Sequence, residues 1–183
     1  SDYFPGYLYI LYLVGKLNMI MPGYSVILFK IPAILADLAV GFVIYTIVCR
    51  HKNKNQALIY SSLYIFNPAI FYNSSLWGQV DGVVSLFIIL SVFVFEKSII
   101  ASSIFLAIGT LIKPQAAFIL PAIFYLFLKN KNKIYEYAIY SFVGMTTFIA
   151  GFIPFNYKTN LLQFIIERFN VSANQYPYGS VNA

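Results

Sequence analysis

Apolar residues run along this chain in long blocks, and Lys and Arg gather in the short gaps between them. Arg50, Lys52 and Lys54 form one basic cluster, and Lys129, Lys131 and Lys133 form another, with Glu96 and Lys97 in a gap between them. A helix that crosses a hydrocarbon core of roughly 30 Å needs ~20 mostly apolar residues. The blocks predict an all-α, polytopic membrane protein with six spans, over residues 24–49, 56–74, 79–95, 98–112, 115–128 and 134–154. Cytoplasmic loops carry the Lys/Arg excess, so the three basic gaps face the cytoplasm. That side then holds seven basic residues (Arg50, Lys52, Lys54, Lys97, Lys129, Lys131, Lys133) against Glu96 and Glu136. The spans and the other side hold five (Lys16, Lys30, Lys113, Lys158, Arg168) against Asp2, Asp37, Asp81 and Glu167. Residues 3–21, with Pro5 and the Pro22-Gly23 turn, predict an external helix lying in the interface. Residues 155–183 are external as well, and the apolar stretch Leu161–Ile166 rests on the membrane surface.

Two hairpins are short. Residues 98–112 supply about 22 Å of helix at the ~1.5 Å rise, and 115–128 no more. The turn between them, Lys113-Pro114-Gln115, is therefore expected below the outer surface. The turn Trp77-Gly78-Gln79-Val80-Asp81-Gly82 joins another pair in a similar way. Polar, irregular backbone at that depth survives only where it lines a protein-walled or watery cavity. We expect two recessed polar turns facing one external cavity.

Composition narrows the function classes. Of 183 residues, 60% are hydrophobic and 10% charged, and the mean hydropathy is +0.76. Soluble domains carry roughly 25% charged residues, so a water-soluble enzyme and a disordered chain are both excluded. One Cys and one His exclude a disulfide framework and any site built from clustered Cys and His ligands. The net charge of +6 reads as a topology signal, with no nucleic acid as partner. The chain lacks an initiator Met and opens in mid-pattern at Ser1-Asp2-Tyr3, so a piece of a longer membrane protein is expected.

Asn67 to Gly82 is the most informative stretch, rich in hydrogen-bonding groups between two apolar blocks. Gln79 and Asp81 can bind hydroxyls, and Trp77 offers a flat face for a sugar ring. The plainer alternative is a loop tip, with Trp77 in the interface belt and Asp81 capping the next helix. Lys113 is the only charge between two apolar runs and should pair with an anion, either a lipid-linked phosphate or Asp81. A Lys snorkelling to the headgroups is its alternative. Asp37 and Lys30 stand seven apart on one helix face, which suits a structural pair or an interhelical hydrogen bond for Asp37. Arg168 has the planar fork that suits phosphate, or it pairs with Glu167 or with headgroups. His51 reads as a topology marker. Asn73-Ser74-Ser75 and Asn170-Val171-Ser172 match glycosylation sequons, which short motifs do by chance.

In order along the chain, these residues resemble the GT-C membrane glycosyltransferases, which use polyprenyl-phosphate sugars as donors. The likeness is to the dolichyl-phosphate-glucose branch and its bacterial and archaeal relatives. Asp2-Tyr3-Phe4-Pro5-Gly6-Tyr7 stands where that branch has Asp-Tyr-Pro-Pro before an aromatic helix. Asp37 matches an acidic residue in the next span, and Asn67-Pro68 precedes Trp77, Gln79 and Asp81 at the family's spacing. Lys113-Pro114-Gln115 fits a Lys-Gln on a later hairpin; Ile153-Pro154-Phe155, Arg168 and Ser180-Val181-Asn182-Ala183 complete the series. The His residues of the family's turn are absent, with Trp77 in one of their places, and Gly6 replaces a Pro.

The resemblance implies a single membrane-embedded glycosyltransferase domain over 1–183, lacking an earlier first span and external loop and some later spans. That earlier loop usually supplies the general base; Asp2 matches only the second acidic position. The implied reaction is inverting hexosyl transfer at the external or luminal face, onto a lipid-linked glycan, cell-envelope polymer or protein. A carboxylate takes the acceptor proton, and the lipid phosphate leaves, stabilised by cations. Lys113 and Arg168 are assigned to that phosphate, Trp77, Gln79, Asp81, Gln115 and Asn182 to substrate binding, and Asp2 to the acid/base region. With cations in place no metal or other cofactor is expected. The rival class is a transporter or flippase for a lipid-linked or small polar solute, which broken short hairpins also fit; two matching halves would mark it, and no convincing repeat is present. A structural membrane subunit would have no use for recessed polar turns.

Overall fold

A computed structural model describes residues 4–156 and 160–174, and these form helices without a strand. Helix α1 (Pro5–Ile20) starts with proline at its first position, where the missing N–H costs nothing. Helix α2 (Ser25–His51) is continuous through Pro32. Helix α3 (Lys54–Ile65) begins at Asn53, whose side chain accepts from the Gln56 N–H at 2.8 Å.

The expected span over 56–74 is not one helix. Pro68 disfavours helical backbone at Asn67, and α3 stops at Phe66. Asn67 then caps a one-turn helix, α4 (Pro68–Phe71), by accepting from the Ala69 N–H at 2.9 Å. A π-helical turn, Tyr72–Trp77, follows.

Helices α5 (Asp81–Val94) and α6 (Ile99–Ile112) meet across the gap that holds Glu96 and Lys97, and Ser98 caps α6 through the Ala101 N–H. Pro114 holds Lys113 extended, so α6 ends there. The expected helix over 115–128 divides into a 3-10 stretch, Pro114–Ile119, and α7 (Leu120–Lys129). Helix α8 (Ile134–Phe152) starts where Glu136 accepts from the Lys133 N–H at 2.7 Å. Helix α9 (Leu161–Asn174) lies within the segment 155–183 expected to be external, and begins with the apolar stretch Leu161–Ile166.

In space α2 packs between α3 and α5, α6 between α5 and α8, and α1 lies against α2 and α6. One core cluster (Ala36, Val80, Val83, Val84, Ile112, Ala116) sits directly under the two polar turns. A second (Phe4, Leu111, Phe152) fastens the start of α1 and the end of α8 to the end of α6, with Phe164 and Ile165 of α9 against it. The third (Phe95, Leu106, Ile123, Phe127, Tyr140) occupies the opposite end. Arg50 lies there over the Phe93 ring, 4.7 Å from its centroid. The ends of the bundle therefore differ: the basic clusters flank one, the polar turns the other.

Among the described residues two helices, Pro22–His51 and Ile134–Phe155, are long and apolar enough to cross a membrane, with mean hydropathies of 2.2 and 1.6. Asp81–Val94, Ile99–Ile112 and Pro114–Lys129 are apolar but shorter. Large apolar side chains remain uncovered over much of the surface, among them Phe66, Phe118 and Phe142.

Candidate functional site

The first turn is built by the break at Pro68. A π-helical turn shifts the backbone bonding, and Leu76 offers its carbonyl to the Lys30 ammonium at 2.9 Å. Lys30 therefore serves this turn and not Asp37, its neighbour two helical turns on. Gly78 then takes left-handed backbone, φ 77°, which reverses the chain. The Gln79 N–H closes the turn on the Asn73 carbonyl at 3.0 Å. Asp81 is the first residue of α5, but the capping position is Val80 and no side chain caps the helix. The alternative in which Asp81 is merely a cap is thereby set aside; its carboxylate is used elsewhere.

Behind it, Gly82 lets α5 approach α2. A Cβ there would lie 2.5 Å from Asp37 Oδ1 and 3.1 Å from the Ala33 carbonyl oxygen. Asp37 is buried and accepts from the Tyr64 hydroxyl of α3 at 3.2 Å, the interhelical hydrogen bond expected as one option.

The second turn hangs from the end of α6. Lys113 keeps its N–H on the Gly109 carbonyl at 3.0 Å, and its own carbonyl accepts from the Ala116 N–H at 3.0 Å. Ala116 is fully buried beneath the turn, in the same cluster as Val80 and Val83. That shared cluster brings the two turns together. The Lys113 ammonium donates to Asp81 Oδ1, and Asn73 Nδ2 donates to Asp81 Oδ2 at 3.3 Å. The side chains of Lys113 and Asp81 are 29% and 46% exposed, so the ion pair faces an opening. Of the two anions expected for Lys113, the structure shows Asp81.

The remaining candidates surround this pair unevenly. Trp77 is 68% exposed and meets Tyr72 edge to face, with ring centroids 6.4 Å apart. Gln79 is half-buried within the first turn, and Gln115 is exposed on the second. Arg168 lies on α9 with its guanidinium over the Phe164 ring, 5.2 Å from the centroid. Phe169 beside it packs edge to face on Phe4 at 4.9 Å, which holds α9 at this end of the bundle. Asp2 and Asn182 lie outside the described residues. Among the described residues no three His, Cys, Asp or Glu side chains are grouped to hold a metal ion.

Two residues of this arrangement escaped the sequence reading. Asn73 stood there within the polar stretch Asn67–Gly82 and in a sequon but was given no role, and Lys30 only as a companion of Asp37. An amide eight residues before an acid carries no signal of its own, because the π-turn decides that the two meet. Below the turns, an apolar cleft of about 690 Å³ runs between α1, α2, α5 and α6; Val83, Leu111 and Ile112 line its near end. Chemically the site offers an ammonium with three donors, a carboxylate, an amide and an exposed aromatic face over apolar walls. Comparison with protein-family models, curated proteins and solved structures gives no match to this chain.

Proposed function

We propose that the chain is the membrane-embedded part of a glycosyltransferase of the GT-C kind, which moves a hexose from a polyprenyl-phosphate donor to an acceptor outside the cytoplasm. The single observation that carries this reading is the Lys113–Asp81 pair: a cation and a carboxylate joined across two polar turns over an apolar core cluster. In this reading all six apolar blocks cross or enter the bilayer, the short ones as recessed hairpins, and α1 and α9 lie along the interface. Lys113 holds the donor phosphate, with Arg168 as the second cation. Trp77 stacks on the sugar, and Gln79, Asp81 and Gln115 hold its hydroxyls or those of the acceptor.

The test is transfer by the full-length protein in liposomes, offered a panel of polyprenyl-phosphate hexoses. Removing Lys113 costs between the ~1 kcal/mol of an exposed pair and the ~3–5 kcal/mol of a buried one. Lys113→Ala is therefore expected to slow transfer by roughly five- to several-thousandfold, with detergent-extracted yield unchanged. Lys113→Arg is expected to restore only part, because a planar fork does not reproduce a compact ammonium. Full activity in the Ala variant removes Lys113 from the site. Solute exchange across the liposome without any glycosylated product favours a transporter instead.

A further inference from the structure

We infer that the Lys113–Asp81 pair is an exchangeable one: a bound phosphate headgroup takes the Lys113 ammonium, and the released Asp81 carboxylate, still held by Asn73, accepts a hydrogen bond from a substrate hydroxyl. The inference rests on the proposed phosphate-linked donor and adds that the Asp81 carboxylate competes with that donor for Lys113.

Three features carry it. The pair joins two separate turns, and both side chains are part-exposed, so a ligand reaches them without unpacking the core. A part-exposed ion pair is held by a preference of roughly fivefold or less, which a competing anion overcomes. Phosphate is the stronger competitor: a monoester carries about −1.5 to −2 charge and three acceptor oxygens, against one charge on Asp81. A sugar phosphodiester carries about one charge, so the exchange is driven furthest when the leaving group becomes a monoester. Finally, Asp81 does not fall back onto the α5 amides when released. Val80 holds the capping position, and Asn73 Nδ2 grips Asp81 Oδ2.

The experiment measures binding of a short isoprenyl monophosphate to the detergent-solubilised full-length protein, apart from any transfer. Asp81→Asn removes the competing charge and is expected to bind roughly two- to fivefold more tightly than wild type, yet to transfer sugar more slowly. Lys113→Ala is expected to lose binding. Weaker binding in Asp81→Asn overturns the exchange and leaves the phosphate reading standing, since Asp81 then merely positions Lys113. No binding to either wild type or Asp81→Asn overturns both. Phosphatidic acid serves as the second arm; equal competition by it keeps the exchange but overturns the isoprenyl source. Should Asp81→Asn fail to fold, wild type labelled with 13C at the aspartate carboxylates gives the answer by infrared difference spectroscopy. A carboxylate band that shifts on adding the phosphate supports the exchange, and an unchanged spectrum overturns it.

Discussion

Gly78 is where a single residue decides the geometry of the site. Its φ of 77° reverses the chain between Trp77 and Asp81, and a Cβ would meet Lys30 Cγ at 3.2 Å. An L side chain in left-handed backbone costs ~1–2 kcal/mol, and Asn tolerates it better than Ala. Gly78→Ala is therefore expected to lower the midpoint of thermal unfolding in detergent by an amount equivalent to about 1 kcal/mol, and Gly78→Asn by less. Equal losses in both variants would mean that backbone strain is not the cause. At the same scale, the polar content of Asn67–Gly82 was plain in the sequence, but its wiring was not. Lys30 points to the Leu76 carbonyl because the π-turn presents that oxygen, and no spacing rule along α2 foretells it.

Among elements, the telling contact is between α2, α3 and α5. Asp37, buried against Gly82, accepts from Tyr64, so one acid fastens three helices. Hydrogen bonds between membrane helices average ~0.6 kcal/mol and reach ~1.7. Tyr64→Phe is expected to lose an amount in that range in a denaturant titration of the detergent-solubilised protein, while leaving the proposed isoprenyl phosphate binding unchanged. A loss of binding would show that α3 acts on the site beyond holding it. The break of 56–74 belongs to this scale too. Hydropathy treats Phe66 to Ser74 as a continuation of the span, whereas Asn67-Pro68 supplies both a cap and a residue without an N–H. The shortness of the second hairpin was legible from length alone; its 3-10 start at Pro114 was not.

For the molecule as a whole, the charge asymmetry of the sequence coincides with the two ends of the bundle. The candidate site lies at the end away from Arg50, Lys97 and Lys131. If the positive-inside bias sets the orientation, Lys52→Cys is sealed from an impermeant thiol reagent in intact cells, and Gln115→Cys reacts with it. Cys49→Ser is the background for both, since Cys49 stands next to the first of these positions. Reaction at position 52 but not at 115 would invert the topology and move the candidate site to the cytoplasmic face.

The sequence by itself determined that the chain is helical and apolar, where its basic gaps fall, and that Lys113 needs an anion. Each of these follows from local composition and from the high cost of an unpaired charge or an unbonded amide in an apolar medium. Only the tertiary structure brings Asp81 to Lys113. The two residues stand 32 positions apart, and they meet because Val80, Val83 and Ala116 share one core cluster beneath the turns. It also decided that Asn73 completes the site and that Asp81 is no cap. Packing between helices sets those relations, and periodicity along one helix does not encode which neighbour its end will face.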